Sequence, residues 1–294
     1  MIGLVDKLAW RSLARRVPGS YAAYVFASRL VAAYENRSVQ ITANGERWFQ
    51  QTLASRGISC AVDVGANKGE WAEGILRFAP NCQLVCYEPV AATFAMLEKA
   101  VGGKHVTLVN AALSDESGTL EIQTVSGRPE LASAHTDYSA DGDVETLVLE
   151  ARKGDAELER LRIDHVDVLK VDAEGHDLAV LQGLTQSLSH GGVDFIQFEY
   201  NHATLAAGIS LRHFFDLLVP DYVLCRLLPE GLEATGYHFS LDNFGQSNWI
   251  CVRRAIIDDA LVTRFRMRRA RGLAGNLLVD HYPEGDAAIA ALKR

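Results

Sequence analysis

Residues 60–71 read CAVDVGANKGEW, a short apolar run that passes through a glycine turn into a helical pattern. The run at 60–64 has the β-branched composition of a buried strand, and Trp71, Ile75 and Phe78 recur at helical spacing. A strand, a glycine turn and a helix form the first unit of an open α/β sheet, which binds ligands at the carboxyl ends of its strands. This stretch therefore predicts both the fold class and the edge of the sheet on which a site lies.

The same alternation continues along the chain. Further strand patterns lie at residues 82–88, 105–113, 166–172 and 192–200. Because strands that alternate with helices form parallel sheets covered on both faces, we expect a mostly parallel sheet with helices on both faces. Residues 114–150 interrupt this pattern with two polar/apolar alternations around a Gly/Ser/Asp-rich loop, so we predict a β-rich insertion there.

Three parts of the chain are distinguished by their patterns. Residues 1–43 are predicted to be a helical extension broken at Pro18, and residues 255–294 a basic helical extension that contains TRFRMRRARG. Residues 44–254 form the α/β domain, where Asn44 is placed to cap the first helix. Two late strand patterns, YVLCRLL and SNWICVRR, close this domain, and we expect one of them to run antiparallel.

Composition limits the classes of function. The chain has 294 residues and a net charge of −8, which argues against a general nucleic-acid binder, although residues 1–40 alone carry +4. A basic amphipathic helix on a membrane surface is an alternative to a plain packing helix at this end. No apolar run approaches a membrane span, and no secretory signal is evident. The five cysteines lack metal or redox spacing, so we expect buried, reduced thiols and a cytoplasmic location.

The glycine turn is one half of a nucleotide-binding pattern. Asn67 occupies the position at which a dinucleotide fingerprint has the glycine that admits a pyrophosphate. Glu88 ends the second predicted strand 23 residues after Gly65, directly before Pro89, where an acid accepts hydrogen bonds from ribose hydroxyls. The pair predicts an adenosine ligand without a diphosphate. An ordinary tight turn and an exposed glutamate before a proline are the alternatives.

Four motifs in this order resemble the FkbM-type methyltransferases: CAVDVGANKGEW, LVCYEPV, VNAALSDESGTLEI and VLKVDAEGHDLAVLQG. Similarity at NGERWFQQTL and FIQFEYN extends the resemblance over about residues 42–200. It implies a Rossmann-like class I methyltransferase sheet that uses S-adenosyl-L-methionine, usually to methylate hydroxyl groups of sugars or natural products. The family's LD before the fourth strand is missing, which leaves residues 126–160 unaligned, and residues 201–294 carry no matching motif.

The resemblance also implies a set of cofactor-binding residues. They occupy the glycine turn, the end of the second strand and a loop near the adenine: Asp63, Gly65, Ala66, Asn67 and Gly69; Glu88 and Pro89; Ser114 and Asp115.

The stretch KVDAEGHD crowds charge at the end of the strand at 166–172. Strand alternation places Lys170 and Asp172 on one face, and a buried ammonium is costly without a carboxylate partner. We therefore expect Lys170 to be a positioning residue and Asp172 to face the charged methionine end of the cofactor.

The same strand end offers candidates for a general base. His176 leads because its ordinary pKa suits the task, and Glu174 or Glu199 could orient it or take its place. The alternative is a charged helix start that the macrodipole stabilises. These carboxylates also have the character of Mg²⁺ or Mn²⁺ ligands, but their spacing is not diagnostic, so a metal is not favoured.

The sequence thus predicts a cytoplasmic, S-adenosyl-L-methionine-dependent O-methyltransferase that acts on a hydroxyl of a saccharide, glycolipid or related secondary metabolite. A nicotinamide-dependent oxidoreductase on a Rossmann-like sheet is one alternative, which Asn67 disfavours. A non-catalytic, cofactor-binding member of a biosynthetic complex is another. The identity of the acceptor and the oligomeric state stay open.

Overall fold

The computed structural model of the protein describes residues 17–103, 105–125, 128–133, 144–243, 245–270 and 292. The described chain begins with two helices, after which strands and helices alternate. These elements are α1 (Ser20–Tyr34), α2 (Glu46–Arg56), β1 (Cys60–Val64), α3 (Glu70–Phe78), β2 (Gln83–Tyr87), α4 (Ala91–Val101) and β3 (Val106–Val109).

The insertion and the second half of the domain follow. The insertion comprises β4 (Ala112–Ser114), β5 (Gly118–Val125), β6 (Arg128–Ser133) and β7 (Val144–Lys153). After it come α5 (Gly154–Leu161), β8 (Val166–Val171), α6 (Asp177–Gly183), α7 (Thr185–Ser189), β9 (Val193–Tyr200), α8 (His202–Ala206) and α9 (Leu211–Leu218). The last elements are β10 (Tyr222–Leu228), β11 (Gly231–Ala234), β12 (Ser247–Arg253), α10 (Asp259–Arg264) and β13 (Arg268–Arg269).

A nine-stranded sheet among the described residues has the order β13-β11-β10-β12-β9-β8-β1-β2-β3. Strand β1 runs parallel to β2 and β8, and β9 runs parallel to β8, whereas β12 is antiparallel to both β9 and β10. A mostly parallel sheet with a late antiparallel strand was the expected architecture, and it is confirmed. Its parallel centre brings the carboxyl ends of β2, β1, β8 and β9 to one edge.

The two faces of this sheet carry separate hydrophobic clusters. Val62 and Val64 point into one cluster, which α6 and α9 cover, whereas Ala61 points into the other, which α2, α3 and α4 cover. Successive side chains of a strand point to opposite faces, so one apolar run supplies both clusters. Helices on both faces are therefore confirmed, and every residue of β8 is buried.

The third predicted strand is wrong as a single element. Residues 105–113 divide into β3 in the large sheet and β4 in a separate four-stranded sheet of order β4-β7-β5-β6. The break lies at Asn110, whose side-chain amide donates to the backbone carbonyls of Glu88 (2.9 Å) and Pro89 (3.0 Å). An apolar run cannot reveal that its chain changes sheets, so the predicted insertion at 114–150 also began two residues late.

The basic helix predicted at TRFRMRRARG is also wrong within the described residues. Helix α10 ends at Arg264, and β13 then pairs in parallel with β11. In the turn between α10 and β13, Phe265 and Met267 are buried, whereas Arg266 is exposed with a φ of +47°. A left-handed residue ends a helix, and the sequence pattern did not reveal it. Residues 271–291, which complete the predicted extension, lie outside the described part, as do residues 1–16.

The N-terminal helix predicted after Gly19 is present as α1. Ser20 is the one buried residue of this helix. None of the helices in the described ranges combines the length and the hydropathy that a membrane span requires. The five cysteines are buried and unpaired, as predicted, and burial raises the pKa of the Cys60 thiol to about 11.

Candidate active site

Two clefts open along the carboxyl edge of the large sheet. The β2 cleft extends from Glu88 to His176, and the β9 cleft extends from Glu46 to Glu199. Three residues line both: Gly65, Asn67 and Asp172. The edge that the sequence predicted as the site therefore holds two adjoining cavities that meet at the ends of β1 and β8.

The glycine turn brings the end of β1 against the end of β8. Gly65 has a φ of +74°, and a Cβ at this position would collide with the carbonyl oxygen of Asp172. The N–H groups of Gly65 and Ala66 both donate to the carbonyl oxygen of Tyr87, at 2.9 and 3.0 Å. Only glycine satisfies both the positive φ and the close approach, so this turn fixes the wall between the two clefts.

Glu88 lines the β2 cleft and is held by two backbone groups. One carboxylate oxygen accepts from the N–H of Asn67 and the other from the N–H of Val90, each at 2.9 Å. Burial raises the pKa of Glu88 to about 7, although these two hydrogen bonds act in the opposite direction. A carboxylate offers about four lone-pair sites, so each oxygen keeps one for a ligand hydroxyl. Asn67 itself has a φ of +48°.

The far wall of the β2 cleft is apolar and includes the insertion. Leu120 and Ile122 of β5 line this cavity together with Val90 and Leu113. The alternation in GTLEIQTV places Leu120 and Ile122 on one face of β5, which is the sequence signal that could have identified them. Our sequence prediction assigned strands to this region but no lining residues.

Lys170 lines the β9 cleft beside Asp172, which lines both clefts. Its ammonium is 3.2 Å from Asp172 Oδ2 and 3.5 Å from Asp63 Oδ1. Burial alone would lower the pKa of Lys170, but the carboxylates of Asp172, Asp63 and Glu46 outweigh it and hold the pKa above its ordinary value. The expected burial of Lys170 beside a carboxylate is confirmed.

Asp63 is fully buried in β1. Burial raises its pKa to about 6, against the lowering effect of Lys170. Neither carboxylate oxygen has a hydrogen bond of good geometry within the described structure, and the 3.5 Å contact with Lys170 is an ion pair only. This carboxylate therefore depends on Lys170 for compensation of its charge.

The turn after β8 is held by Asp177. Its carboxylate accepts from the N–H groups of Ala173 (3.2 Å) and Gly175 (3.0 Å), and burial raises its pKa to about 7. Glu174 has a φ of +48°, an uncommon conformation for a residue with a side chain. Burial and the neighbouring Asp172 raise the pKa of Glu174 to about 8. The two carboxylates at this helix start therefore have different roles. Asp177 closes the turn, and Glu174 lines the β2 cleft.

His176 lies at the start of α6 and lines the β2 cleft. Its Nε2 is 2.9 Å from Ser114 Oγ, and Ser114 donates its hydroxyl to Asp115 at 2.9 Å. A hydroxyl donates only one hydrogen bond, so Ser114 Oγ accepts from Nε2–H, and Nδ1 is then the basic nitrogen. The predicted base and the predicted adenine loop are therefore in direct contact.

Glu199 is the penultimate residue of β9 and lines the β9 cleft, where Asn201 donates to its Oε1. Burial, followed by repulsion from Asp172, raises the pKa of Glu199 well above its ordinary value. Among the described residues at this edge, four predicted ones lie outside the lining of both clefts: Asp63, Gly69, Ser114 and Asp115.

A buried polar network supports the β9 cleft, and sequence reasoning missed it. Gln197 donates to Glu46 (2.7 Å) and accepts from the indole N–H of Trp71 (3.1 Å), while Asn44 donates to the other oxygen of Glu46 (2.7 Å). A glutamine inside the apolar run DFIQFEY was the available signal, since a buried amide requires partners.

The described residues contain one group of potential metal ligands whose atoms lie within 4.8 Å of one another: His165, Asp167 and Asp194. It lies at the amino ends of β8 and β9, opposite the clefts. Asp194 already pairs with Arg253 (2.7 Å) and Arg56 (3.1 Å), and Asp167 accepts from two backbone N–H groups. These bonds account for both carboxylates without an ion.

Comparison with known proteins gives a family and several distant folds. The methyltransferase FkbM domain matches residues 63–220, which contain the glycine turn, both strand-end acids and the turn after β8. No curated protein shows a significant match.

Three solved structures illustrate the fold similarity. The methyltransferase FkbM from Methylobacillus flagellatus KT is 14% identical over 68% of this chain and 47% of its own, with a TM-score of 0.41. The plantazolicin methyltransferase BpumL, in complex with SAH, is 12% identical over 86% of this chain and 98% of its own, with a TM-score of 0.39. Aeropyrum pernix fibrillarin with bound S-adenosyl-L-methionine is 11% identical over 67% and 66%, with a TM-score of 0.37. The chain spans about half the length of the first of these.

Proposed function

The chain belongs to the methyltransferase FkbM domain family, and from this premise we propose that it is an S-adenosyl-L-methionine-dependent O-methyltransferase. The proposed acceptor is a hydroxyl of a saccharide, glycolipid or related secondary metabolite. Membership of a methyltransferase family sets aside the nicotinamide-dependent oxidoreductase. The cytoplasmic location stays a prediction from the thiols.

The single observation that carries the proposal is the construction of the β2 cleft. Leu113, Leu120 and Ile122 line it and offer an apolar surface for a base. Glu88 offers a fixed carboxylate for ribose hydroxyls. The N–H of Asn67 is bonded to Glu88, so it is not directed at a phosphate. These residues fit an adenosine ligand that lacks a pyrophosphate.

Asp172 lies where the two clefts meet, and we propose that it faces the cationic end of the cofactor. Lys170 fixes this carboxylate at 3.2 Å, so Lys170 acts through Asp172 as a positioning residue. S-adenosyl-L-methionine supplies a methyl group on a sulfonium, which leaves as a neutral thioether when a nucleophilic oxygen attacks. The chain must therefore align the acceptor hydroxyl and accept its proton.

The β9 cleft is the proposed acceptor site. Glu46, Glu199 and Asp172 line it with carboxylate oxygens, which accept hydrogen bonds from several hydroxyls at once. Lys68 lies at the same cleft and can donate. An acceptor that carries several hydroxyls suits this lining better than an apolar one.

Three candidates for the general base remain, and their positions differ. His176 and Glu174 line the β2 cleft, whereas Glu199 lines the β9 cleft. A base must reach the hydroxyl within hydrogen-bond distance. The position of Glu199 therefore supports it as the base for an acceptor in the β9 cleft. His176, through Ser114, is then better placed to support the cofactor.

Calorimetric titration with S-adenosyl-L-methionine tests the proposal. We expect the folded chain to bind S-adenosyl-L-methionine. In a separate titration with NADH, we expect no quench of the NADH fluorescence. Transfer of a labelled methyl group to a panel of saccharides and glycolipids then tests the reaction. Folded protein that binds no S-adenosyl-L-methionine would exclude the proposal, and binding without transfer to any acceptor would favour a non-catalytic member of a complex.

A further inference from the structure

Helix α1 exposes large apolar side chains over most of its circumference. Tyr21, Tyr24, Phe26, Leu30, Val31 and Tyr34 are each between 47% and 78% exposed. A helix turns by about 100° per residue, so these six cover roughly 220° of it, and the exposed Arg29 lies in the remaining sector. So wide an apolar helix surface is normally buried in protein or lipid. The exposed surface of α1 therefore requires an occupant.

The charge of the N-terminal segment indicates the kind of occupant. Residues 1–40 contain six Lys/Arg and two Asp/Glu, whereas the whole chain has a net charge of −8. Basic residues that precede an apolar helix in the sequence favour anionic lipid headgroups as its partner. A dimer through α1 would instead join two chains whose first 40 residues each carry +4, and this like charge disfavours it.

The end of α1 is fixed to the α/β domain. Asn36 donates to the carbonyl oxygens of Asn44 (2.7 Å) and Leu227 (2.9 Å), and Arg226 donates to the carbonyl oxygen of Glu35 (3.3 Å). Beyond this anchor the chain leads directly to Val39, which lines the β9 cleft. Five residues from Tyr34 to Val39 span at most about 17 Å. The position of α1 relative to this cleft is therefore constrained.

We propose that α1 docks the protein on the surface of an anionic lipid membrane, with its apolar side chains in the interfacial region. The docking is independent of the methyl transfer proposed above. Together, the two place the entrance of the β9 cleft close to the headgroups, where a lipid-borne glycan is a suitable acceptor. A free sugar in solution has no need of this helix.

Co-sedimentation of the full chain with lipid vesicles tests the docking. One set of vesicles contains phosphatidylcholine with about 30 mol% phosphatidylglycerol, and the other contains phosphatidylcholine alone. We expect binding to the anionic vesicles that weakens as salt is added. The double substitution Phe26→Glu and Leu30→Glu should reduce partitioning by about 10-fold or more, because it adds charge to the inserted surface.

A matched control is Val148→Glu, which changes a side chain of 62% exposure on β7. It should leave vesicle binding unchanged. S-adenosyl-L-methionine titration of all three proteins reports whether the fold is intact, since α1 lies outside both clefts. If titration fails for wild type while vesicle binding holds, the docking stands and the proposed reaction does not.

Three results would overturn the docking. The first is the absence of wild-type binding to anionic vesicles. The second is equal binding by the doubly substituted protein. The third is a wild-type dimer that becomes a monomer on substitution, without vesicle binding, which would make a second copy the occupant of α1.

Discussion

The β2 cleft and the β9 cleft share Asp172 but are built by different means. In the β2 cleft, Glu88 is fixed by two backbone N–H groups, and the opposite wall is apolar. In the β9 cleft, Glu46 is fixed by side chains, and Lys170 compensates buried carboxylates from below. Backbone bonds between adjacent turns define a single geometry, whereas side-chain bonds depend on which residues the fold brings together. The first construction suits a fixed ligand, and the second can be altered residue by residue.

The largest effect is expected from the general base. Glu199→Gln should lower turnover by about 10²- to 10⁴-fold while S-adenosyl-L-methionine affinity is retained. His176→Ala, which removes a side chain from the proposed cofactor cleft, should slow turnover to a smaller extent. Labelled methyl transfer at several pH values measures both. If His176→Ala has the larger effect and Glu199→Gln resembles wild type, the base lies in the β2 cleft and the two clefts have been assigned the wrong roles.

Removal of the Lys170 ammonium should destabilise the edge of the sheet at which the two clefts meet. Lys170→Met leaves Asp63 buried without a counter-charge, so the free energy of unfolding should fall by about 3–5 kcal/mol. Urea denaturation measures this change. Lys68→Met, which removes an exposed lysine at the same cleft, should change stability by less than about 0.5 kcal/mol. Adding Asp63→Asn to Lys170→Met should restore part of the lost free energy of unfolding. An unchanged unfolding midpoint for Lys170→Met would show that Asp63 does not need Lys170 as its counter-charge.

Glu88→Ala should weaken S-adenosyl-L-methionine binding by about 10-fold or more, because it removes charge-assisted hydrogen bonds to the ribose. Calorimetric titration gives the dissociation constant. Glu98→Ala, an exposed glutamate on α4, is the matched control and should bind like wild type. Equal affinity of the two variants for S-adenosyl-L-methionine would show that Glu88 does not bind the ribose. The main difference between the two clefts would then be lost.

The smallest expected effect is a change in the free energy of unfolding with pH. The pKa of Glu174 is about 8 in the folded protein, because burial and Asp172 raise it, whereas an unfolded glutamate titrates near 4. The folded chain therefore holds a proton between these values that the unfolded chain has lost, so stability falls as pH rises through this window.

Glu174→Gln should be free of this loss. Its stability relative to wild type should increase by about 1 kcal/mol or more between pH 5 and pH 8. Thermal or urea unfolding at both pH values measures the difference. A difference that does not vary with pH would show that Glu174 titrates normally.

The sequence predicted the sheet and its edge because those features are local. The turn at Gly65, the acid at Glu88 and the charged strand end at Lys170 each follow an apolar strand pattern, and their positions at one edge follow from parallel strands. The family resemblance rested on the same segments and is confirmed by the domain match.

The parts that sequence reasoning missed involve contacts between distant segments. Glu46 and Gln197 are 151 residues apart and form one buried bond. The change of sheets at Asn110 depends on carbonyl groups of Glu88 and Pro89 on a neighbouring strand end. The pairing of β13 with β11 joins segments more than 30 residues apart. No local sequence pattern indicates any of these three features.

The position of Asp172 between the clefts has a consequence for the timing of proton transfer. Before any ligand binds, burial and the negative charge of Asp172 raise the pKa of Glu174 to about 8 and that of Glu199 well above its ordinary value. A ligand that brings positive charge beside Asp172 opposes that effect and lowers both pKa values. Binding of the cation should release protons to the buffer, and the heat of binding should vary with the ionisation enthalpy of that buffer. Glu174 and Glu199 would then be able to accept a proton only after the methyl donor has bound. Electrostatic interactions alone would set the order of donor binding and proton transfer.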